Sequence, residues 1–106
     1  MKVAVSSTGT DLDCQVDSHF GRCSYFIIIN PDDMSFEVHP NENATLGGGA
    51  GLQSAQFVAS KVAQVVITGN CGPKAMKALE AAGIKVISNE TGTVREALER
   101  FKERGL

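Results

Sequence analysis

Hydrophobic and polar residues follow two periodicities along this chain, and together they predict five strands and three helices. Apolar or alternating runs predict strands at 2–6, 25–29, 35–39, 65–68 and 84–87. Apolar residues at helical spacing predict three helices, which begin after residue 51, at residue 73 and after residue 93. The element order is therefore a strand, a long loop, a β-hairpin, and then an alternating α-β-α-β-α segment.

The helix ends carry recognisable signals. The first helix is predicted by Leu52, Ala55, Ala59 and Val62, which recur at helical spacing. Proline is tolerated at the first helical position, so the second helix is expected to begin at Pro73 and to end at Gly83. A capping-box pattern at 93–96 opens the third helix, which is expected to bury Val94, Ala97, Leu98 and Phe101.

This order predicts an α/β fold. The β-α-β-α tail requires parallel strands joined by right-handed crossovers, whereas the hairpin adds an antiparallel strand. The result is a five-stranded mixed sheet covered by three helices. Its first strand is central, and its second strand is the one antiparallel strand.

The topology also predicts where a ligand would bind. The loops after the first, third, fourth and fifth strands leave the same sheet edge, and these are residues 7–23, 41–51, 69–72 and 88–92. Open α/β sheets bind ligands in such a crevice, and all three helices begin there with free N–H groups. The crevice is therefore expected to favour an anion.

Composition narrows the class of protein. The chain has 106 residues and a formal net charge of −2, so we expect one domain, 1–106, with no nucleic-acid surface. No apolar run has the roughly 20 residues that span a bilayer, so we expect no membrane association. A cytoplasmic location with reduced cysteines is the expectation.

Cys71 is the first candidate for chemistry, because it lies where a strand runs into a helix. The positive end of a helix dipole stabilises a thiolate and is expected to lower the thiol pKa. Such a residue can be a nucleophile, a metal ligand or a small apolar side chain.

A second set of candidates lies in the loop before the strongest strand. His19 and Cys23, with Cys14 upstream, offer the soft ligands that iron, copper or another thiophilic metal prefers. Their spacing is not that of a zinc finger. The alternatives are a loop histidine at 19, a buried core thiol at 23 and an incidental cysteine at 14.

Glycines near these residues permit close backbone approach to a ligand. The segment Gly47–Gly51 is either a flexible lid or a linker, and no Gly-Lys-Ser/Thr follows it, so it is not a P-loop. Phe20 is expected to be a packing residue.

Several ordered motifs resemble the nitrogenase iron–molybdenum cofactor biosynthesis family. They are His19-Phe20-Gly21, Gly49-Ala50-Gly51, Val65-Val66-Ile67-Thr68-Gly69, Cys71-Gly72-Pro73-Lys74-Ala75 and Leu79-Glu80-Ala81-Ala82-Gly83-Ile84. The resemblance covers essentially the whole chain and implies a ribonuclease H-like fold. It also implies binding of metal–sulfur clusters or their precursors, with a cluster-binding part for His19.

The expected function is therefore a carrier, not an enzyme, that binds an iron–sulfur or molybdenum-containing cluster weakly or transiently. The metal ligands expected are His19, Cys71, Cys23 and Cys14. Other cofactor-binding positions expected are Phe20, Gly21, Gly49, Gly51, Gly69, Asn70 and Gly72. Partners would be cluster donor or acceptor proteins, and the chain would be a monomer or a weak homodimer.

Two other functions stay open at this point. Cys71 can serve a sulfur-transfer enzyme as nucleophile, or the crevice can be vestigial in a regulatory or adaptor domain. A nuclease is a poor alternative because the first and fourth strands carry no carboxylate.

Overall fold

A computed structural model describes residues 1–42 and 49–104. Its elements are β1 (Val3–Ser7), β2 (Tyr25–Asn30), β3 (Ser35–Pro40), α1 (Ala50–Ser60), β4 (Val65–Ile67), α2 (Pro73–Ala81), β5 (Lys85–Ile87) and α3 (Val94–Glu103). All five predicted strands and three predicted helices are present, in the predicted order. The predicted loop 41–51 falls partly on residues 43–48, which lie outside the described residues, as do Gly47 and Gly48.

The five strands form one mixed sheet in the order β3-β2-β1-β4-β5. β2 is antiparallel to both β1 and β3, whereas β4 is parallel to both β1 and β5. β1 is therefore central and β2 is the one strand that runs against the others, as predicted. The β1–β4 neighbours Val3 and Val65 set the register of the parallel half.

Each face of the sheet carries its own hydrophobic cluster. On one face α3 buries Val94, Ala97, Leu98 and Phe101, together with the loop residues Leu12 and Val16. On the other face α1 and α2 pack over residues that include Phe20, Phe26, Val58 and Leu79. The predicted inward face of α3 is confirmed, and the two-sided covering explains why β1 and β4 are buried along their whole length.

The first helix differs from its prediction at both ends. α1 ends at Ser60, so Val62 lies beyond it and is 72% exposed, and Leu52 is 42% exposed. The helical spacing thus predicted the helix correctly, but two of the four residues that carried it are exposed. The chain leaves the helix at Lys61 in a tight turn that buries Ala63 in place of Val62.

The helices are short. No helix within residues 1–42 and 49–104 combines the length and the apolar character needed to cross a bilayer.

Candidate functional site

The loop that carries His19 lies directly against the loop that carries Cys71. Residues 19 and 70 form an isolated parallel bridge, in which Asn70 N–H donates to the Ser18 carbonyl at 2.6 Å and Phe20 N–H donates to the Asn70 carbonyl at 3.0 Å. The predicted meeting of the segments 7–23 and 69–72 at one sheet edge is therefore confirmed for residues 18–20.

Two buried hydroxyl groups, at the ends of β1 and β4, stabilise the segment that precedes His19. Ser6 Oγ donates to the Asp17 carbonyl at 3.0 Å and lies 2.7 Å from Thr68 Oγ1. Because a serine hydroxyl has one hydrogen, Thr68 must be the donor to Ser6. The ends of β1 and β4 thus hold the start of the His19 loop in place.

A groove opens above this contact. One depression of about 350 Å³ is lined by His19, Phe20, Gly21, Arg22, Gly49, Ala50, Gly51 and Asn70. A second, of about 460 Å³, is lined by Gly49, Gly51, Leu52, Gly72, Pro73, Lys74 and Ala75. Gly49 and Gly51 line both, so the two depressions adjoin at the start of α1, and together they are called the groove. It extends from His19 past the start of α1 to the start of α2.

The glycines of the groove have two different roles. A Cβ atom on Gly21 would lie 2.7 Å from the backbone nitrogen of Gly51, and one on Gly69 would lie 2.6 Å from the Cα atom of Ser18. These two glycines are required because the segments pack backbone against backbone. A Cβ atom on Gly72 would meet nothing within 4 Å, so the groove has unfilled space at the start of α2.

The helices that reach the groove begin without side-chain caps. Among the described residues, no side chain caps the first turn of α1 or α2, and neither turn contains an acidic residue. α3 begins instead with a complete capping box, in which Thr93 and Glu96 bond each other's backbone N–H groups. The first turns of two helices therefore bring partial positive charge, and N–H groups that no described side chain caps, to the groove.

His19 is exposed at the end of the groove nearest α1. Its backbone N–H donates to Asp17 Oδ1 at 3.0 Å, and its ring Nδ1 lies 2.9 Å from Ser18 Oγ. The ring atom Nε2 is on the side away from this contact, where it can serve as a ligand.

Cys71 lies at the same sheet edge, between the groove residues Asn70 and Gly72. Its side chain is half-buried and packs against the cluster beneath α1 and α2, and it is not among the described residues that line the groove. Burial raises the pKa of the Cys71 thiol, so the expectation of a lowered pKa was wrong. The thiol precedes Gly72, the N-cap of α2, and its partial burial removes hydration that a thiolate would need.

Cys23 belongs to the hydrophobic core. It is 0% exposed, and its thiol donates to the Phe20 carbonyl at 3.2 Å. Burial, followed by the negative charge of Asp17, raises its pKa to about 12. These observations favour the alternative of a buried core thiol, and the prediction of Cys23 as a ligand gains no support from them.

Cys14 lies on the opposite face of the sheet. Its carbonyl accepts the N–H of Val94 at the start of α3, where Leu12 and Val16 are buried. Of the predicted edge formed by residues 7–23, 69–72 and 88–92, Cys14 therefore joins the part beside the start of α3, because its apolar neighbours Leu12 and Val16 pack on that side. Among the described residues, no group of three or more His, Cys, Asp or Glu side chains is placed to hold a metal ion.

Ser18, Leu52 and Lys74 also belong to the site, although none of them was a predicted site residue. Ser18 contacts the His19 ring, while the other two line the groove near α2. The position of Lys74 directly after Pro73 was a usable signal, since it falls in the first turn of the predicted helix. Leu52 gave no signal, because its spacing matched the inward face of α1.

Comparisons with known proteins agree with this architecture. A family model described as dinitrogenase iron-molybdenum cofactor matches residues 1–104. An uncharacterised protein of Methanocaldococcus jannaschii is 30% identical over 92 residues, which are 84% of this chain and 78% of that protein.

Two solved structures are also similar. The apo form of the orange protein from Desulfovibrio gigas is 43% identical with a TM-score of 0.93, over 97% of this chain and 88% of that one. A NifB-like protein from Thermotoga, determined by NMR, is 39% identical with a TM-score of 0.82, over 96% of this chain and 87% of that one.

Proposed function

Because the chain belongs to the dinitrogenase iron-molybdenum cofactor family, we propose that it is a carrier which binds an anionic metal–sulfur cluster, or its precursor, in the groove. The observation that carries the proposal is the groove itself, which joins the exposed His19 ring to the uncapped starts of α1 and α2. Metal–sulfur clusters combine soft metal ions with anionic sulfides, and this groove offers a partner for each.

The donor set fits such a cargo. Nε2 of His19 is the side-chain ligand, and the first-turn N–H groups of α1 and α2 donate hydrogen bonds to sulfides. The unfilled space at Gly72 leaves room for the cargo beside Lys74, whose ammonium group adds positive charge. Cys71 can join as a second ligand only after its thiol moves out of the packed cluster and loses its proton.

The relatives support this proposal at two points. The orange protein has been solved in an apo form, that is, without its bound group, and its fold matches this chain closely. The family description connects the fold with the iron–molybdenum cofactor. We propose either an iron–sulfur or a molybdenum-containing cargo on that basis.

We propose a carrier rather than an enzyme. A sulfur-transfer enzyme would need Cys71 as a thiolate, and burial works against that form. Few ligands also suit a protein that must release its cargo to cluster acceptor proteins after loading by donors. A cytoplasmic location, a monomer or weak homodimer and a ribonuclease H-like classification are parts of the same proposal.

Anaerobic reconstitution tests the proposal. The protein is loaded with iron and sulfide in one arm and with tetrathiomolybdate in another, desalted, and examined by absorption spectroscopy and elemental analysis. We expect retained metal in the wild type and a loss of at least tenfold in His19→Ala, since a ligand has been removed. Cys71→Ser is expected to retain most of the metal, because its thiol packs away from the groove.

His39→Ala is the matched control, because residue 39 is the other histidine in the chain and packs against Phe57. It should load like the wild type. Equal loading of the His19 and His39 variants would remove His19 from the proposed site. A wild type that retains neither metal would contradict the carrier function and favour a vestigial groove.

Gly72→Leu provides a test by occlusion. Gly72 has φ −66° and ψ 162°, a conformation open to any residue, and its Cβ position is free. The variant should fold normally and yet load poorly, because the leucine occupies the groove. Normal loading would place the cargo elsewhere.

A further inference from the structure

We propose that Ser18 is a positioning residue which selects the ring tautomer of His19 and thereby presents Nε2 to the cargo. The inference rests on the proposed function, in which His19 is the side-chain ligand. Ser18 fixes the position of the ring hydrogen in the cargo-free protein, before any metal binds.

The backbone around His19 is fixed on both sides. Ser18 carbonyl and Phe20 N–H are both bonded to Asn70, and His19 N–H is bonded to Asp17 Oδ1. The peptide is therefore held against the β4–α2 loop, which is itself anchored through Gly69 N–H to the Asp17 carbonyl at 3.2 Å. What remains adjustable at His19 is the ring, its rotation and the position of its proton.

Ser18 Oγ is placed to control that proton. It lies 2.9 Å from Nδ1, which is hydrogen-bonding distance. If Nδ1 carries the hydrogen and donates it to Ser18 Oγ, Nε2 keeps its lone pair and can bind a metal. If Ser18 donates instead, the neutral ring carries its hydrogen on Nε2 and cannot bind.

The first arrangement is the one that suits a ligand. Metal-binding histidines donate their second ring N–H to a neighbouring acceptor, which fixes the tautomer and the ring orientation. Ser18 is exposed, so its own hydrogen can bond water while its oxygen accepts from Nδ1. Because Ser18 and His19 are adjacent in the sequence, their side chains can keep this contact without support from another part of the fold.

The tautomer can be read in the cargo-free protein. Long-range ¹⁵N NMR of the imidazole nitrogens at about pH 9, where histidine side chains are neutral, reports which nitrogen carries the hydrogen. We expect mainly the Nδ1–H form for His19 in the wild type. In Ser18→Ala the Nδ1–H fraction should fall at least twofold, and Ser18→Thr, which keeps a hydroxyl, should restore it.

Ser24→Ala is the matched control, since residue 24 is an exposed serine that does not line the groove. It should leave the His19 signals unchanged. A wild type with mainly Nε2–H, or a Ser18→Ala spectrum that matches the wild type, would overturn the inference. An unchanged backbone amide spectrum in every variant separates the tautomer effect from misfolding.

Anaerobic titration with Fe²⁺ in the presence of sulfide then connects the tautomer with binding. Loss of a group that orients a ligand typically costs 10–100-fold in metal affinity. We therefore expect Ser18→Ala to bind iron at least tenfold more weakly, with rescue by Ser18→Thr. Equal affinity of the alanine variant and the wild type would overturn the positioning role.

The two proposals fail in different ways. A tautomer that responds to Ser18 in a protein that never binds metal supports the Ser18–His19 contact and refutes the carrier function. Metal binding that needs His19 while the tautomer ignores Ser18 refutes this inference and leaves the carrier function standing.

Discussion

Gly21 packs against Gly51 so closely that a Cβ atom on Gly21 would lie 2.7 Å from both the Cα and the backbone nitrogen of Gly51. This contact sets the distance between the His19 loop and the first turn of α1. Asn41 strengthens it by donating a hydrogen bond from Nδ2 to the Gly21 carbonyl at 3.1 Å. The width of the groove is therefore fixed by backbone atoms.

Gly21→Ala is expected to destabilise the protein by about 1–3 kcal/mol, the usual cost of overpacking a filled site. The added methyl group must push α1 away from the loop. Urea unfolding at neutral pH measures the change in free energy. Gly72→Ala is the control, because its methyl group meets no atom within 4 Å, and it should differ from the wild type by no more than about 0.5 kcal/mol. Equal costs for the two variants would refute the close contact.

α1 and α2 end in the same type of turn, but the residue after the C-cap differs between them. At α1, Val62 N–H bonds the Ala59 carbonyl and Ala63 N–H bonds the Val58 carbonyl. At α2, the equivalent turn contains Gly83. Both are Schellman motifs, in which the residue after the C-cap takes a positive φ. Here φ is +60° at Val62 and +77° at Gly83.

Val62→Gly is therefore expected to stabilise the protein by about 1 kcal/mol, because a β-branched residue is strained at that φ and glycine is not. The side chain is 72% exposed, so little packing is lost. The matched reverse change, Gly83→Val, should destabilise by about 1–2 kcal/mol. Thermal unfolding of both variants checks the pair, and a destabilised Val62→Gly would contradict the strain.

The end of α2 could be predicted from the sequence, but the end of α1 could not. Gly83 indicated the end of α2 because glycine is the usual residue after the C-cap. Val62 instead predicted that α1 continues, since its spacing fits the helical pattern and valine is not typical of a turn with positive φ. Packing of Ala63 against Val58 decided the outcome, and that contact depends on the assembled core.

The site, too, was predictable only in part. Strand order brought His19 and the 69–72 loop to one edge, because parallel strands share their carboxyl ends. The ionisation of Cys71 and the position of Cys14 were not predictable, since both depend on which apolar neighbours are buried. Ser18 went unnoticed because an exposed serine in a loop has no distinctive pattern.

The raised pKa of Cys23 is expected to lower the stability of the protein at alkaline pH. Its pKa is about 12 when folded and about 8.5 in an unfolded chain, so between these values the unfolded state loses a proton that the native state keeps. The free energy of unfolding should therefore fall as pH rises, by up to about 1.4 kcal/mol per pH unit from this group.

Cys23→Ala should remove that component of the slope, although the variant starts from a lower stability. Urea unfolding between about pH 8 and pH 11 measures the difference. Cys14→Ala, which removes a half-exposed loop thiol, should keep the wild-type slope. A Cys23→Ala slope identical to the wild type would contradict the raised pKa.

The hydroxyl pair beneath the groove is expected to show strong coupling. Ser6→Ala leaves the buried Thr68 hydroxyl without its acceptor and should cost about 1–3 kcal/mol. Adding Thr68→Val removes the stranded hydroxyl, so the double variant should be less destabilised than the sum of the two single variants. A double-mutant cycle from urea unfolding gives this coupling, and additive effects would show that the two hydroxyls act independently.

The contrast between the self-capped α3 and the uncapped α1 and α2 has a consequence for how occupancy can be followed. Under the proposed function, the first turns of α1 and α2, which no described side chain caps, gain hydrogen-bond partners from the cargo, so filling the groove is expected to raise the resistance of the fold against heat. By mass action that gain amounts to about 2.7 kcal/mol at a free ligand concentration one hundred times the dissociation constant. If the proposed function holds, the melting temperature of this chain reports directly on whether the groove is occupied.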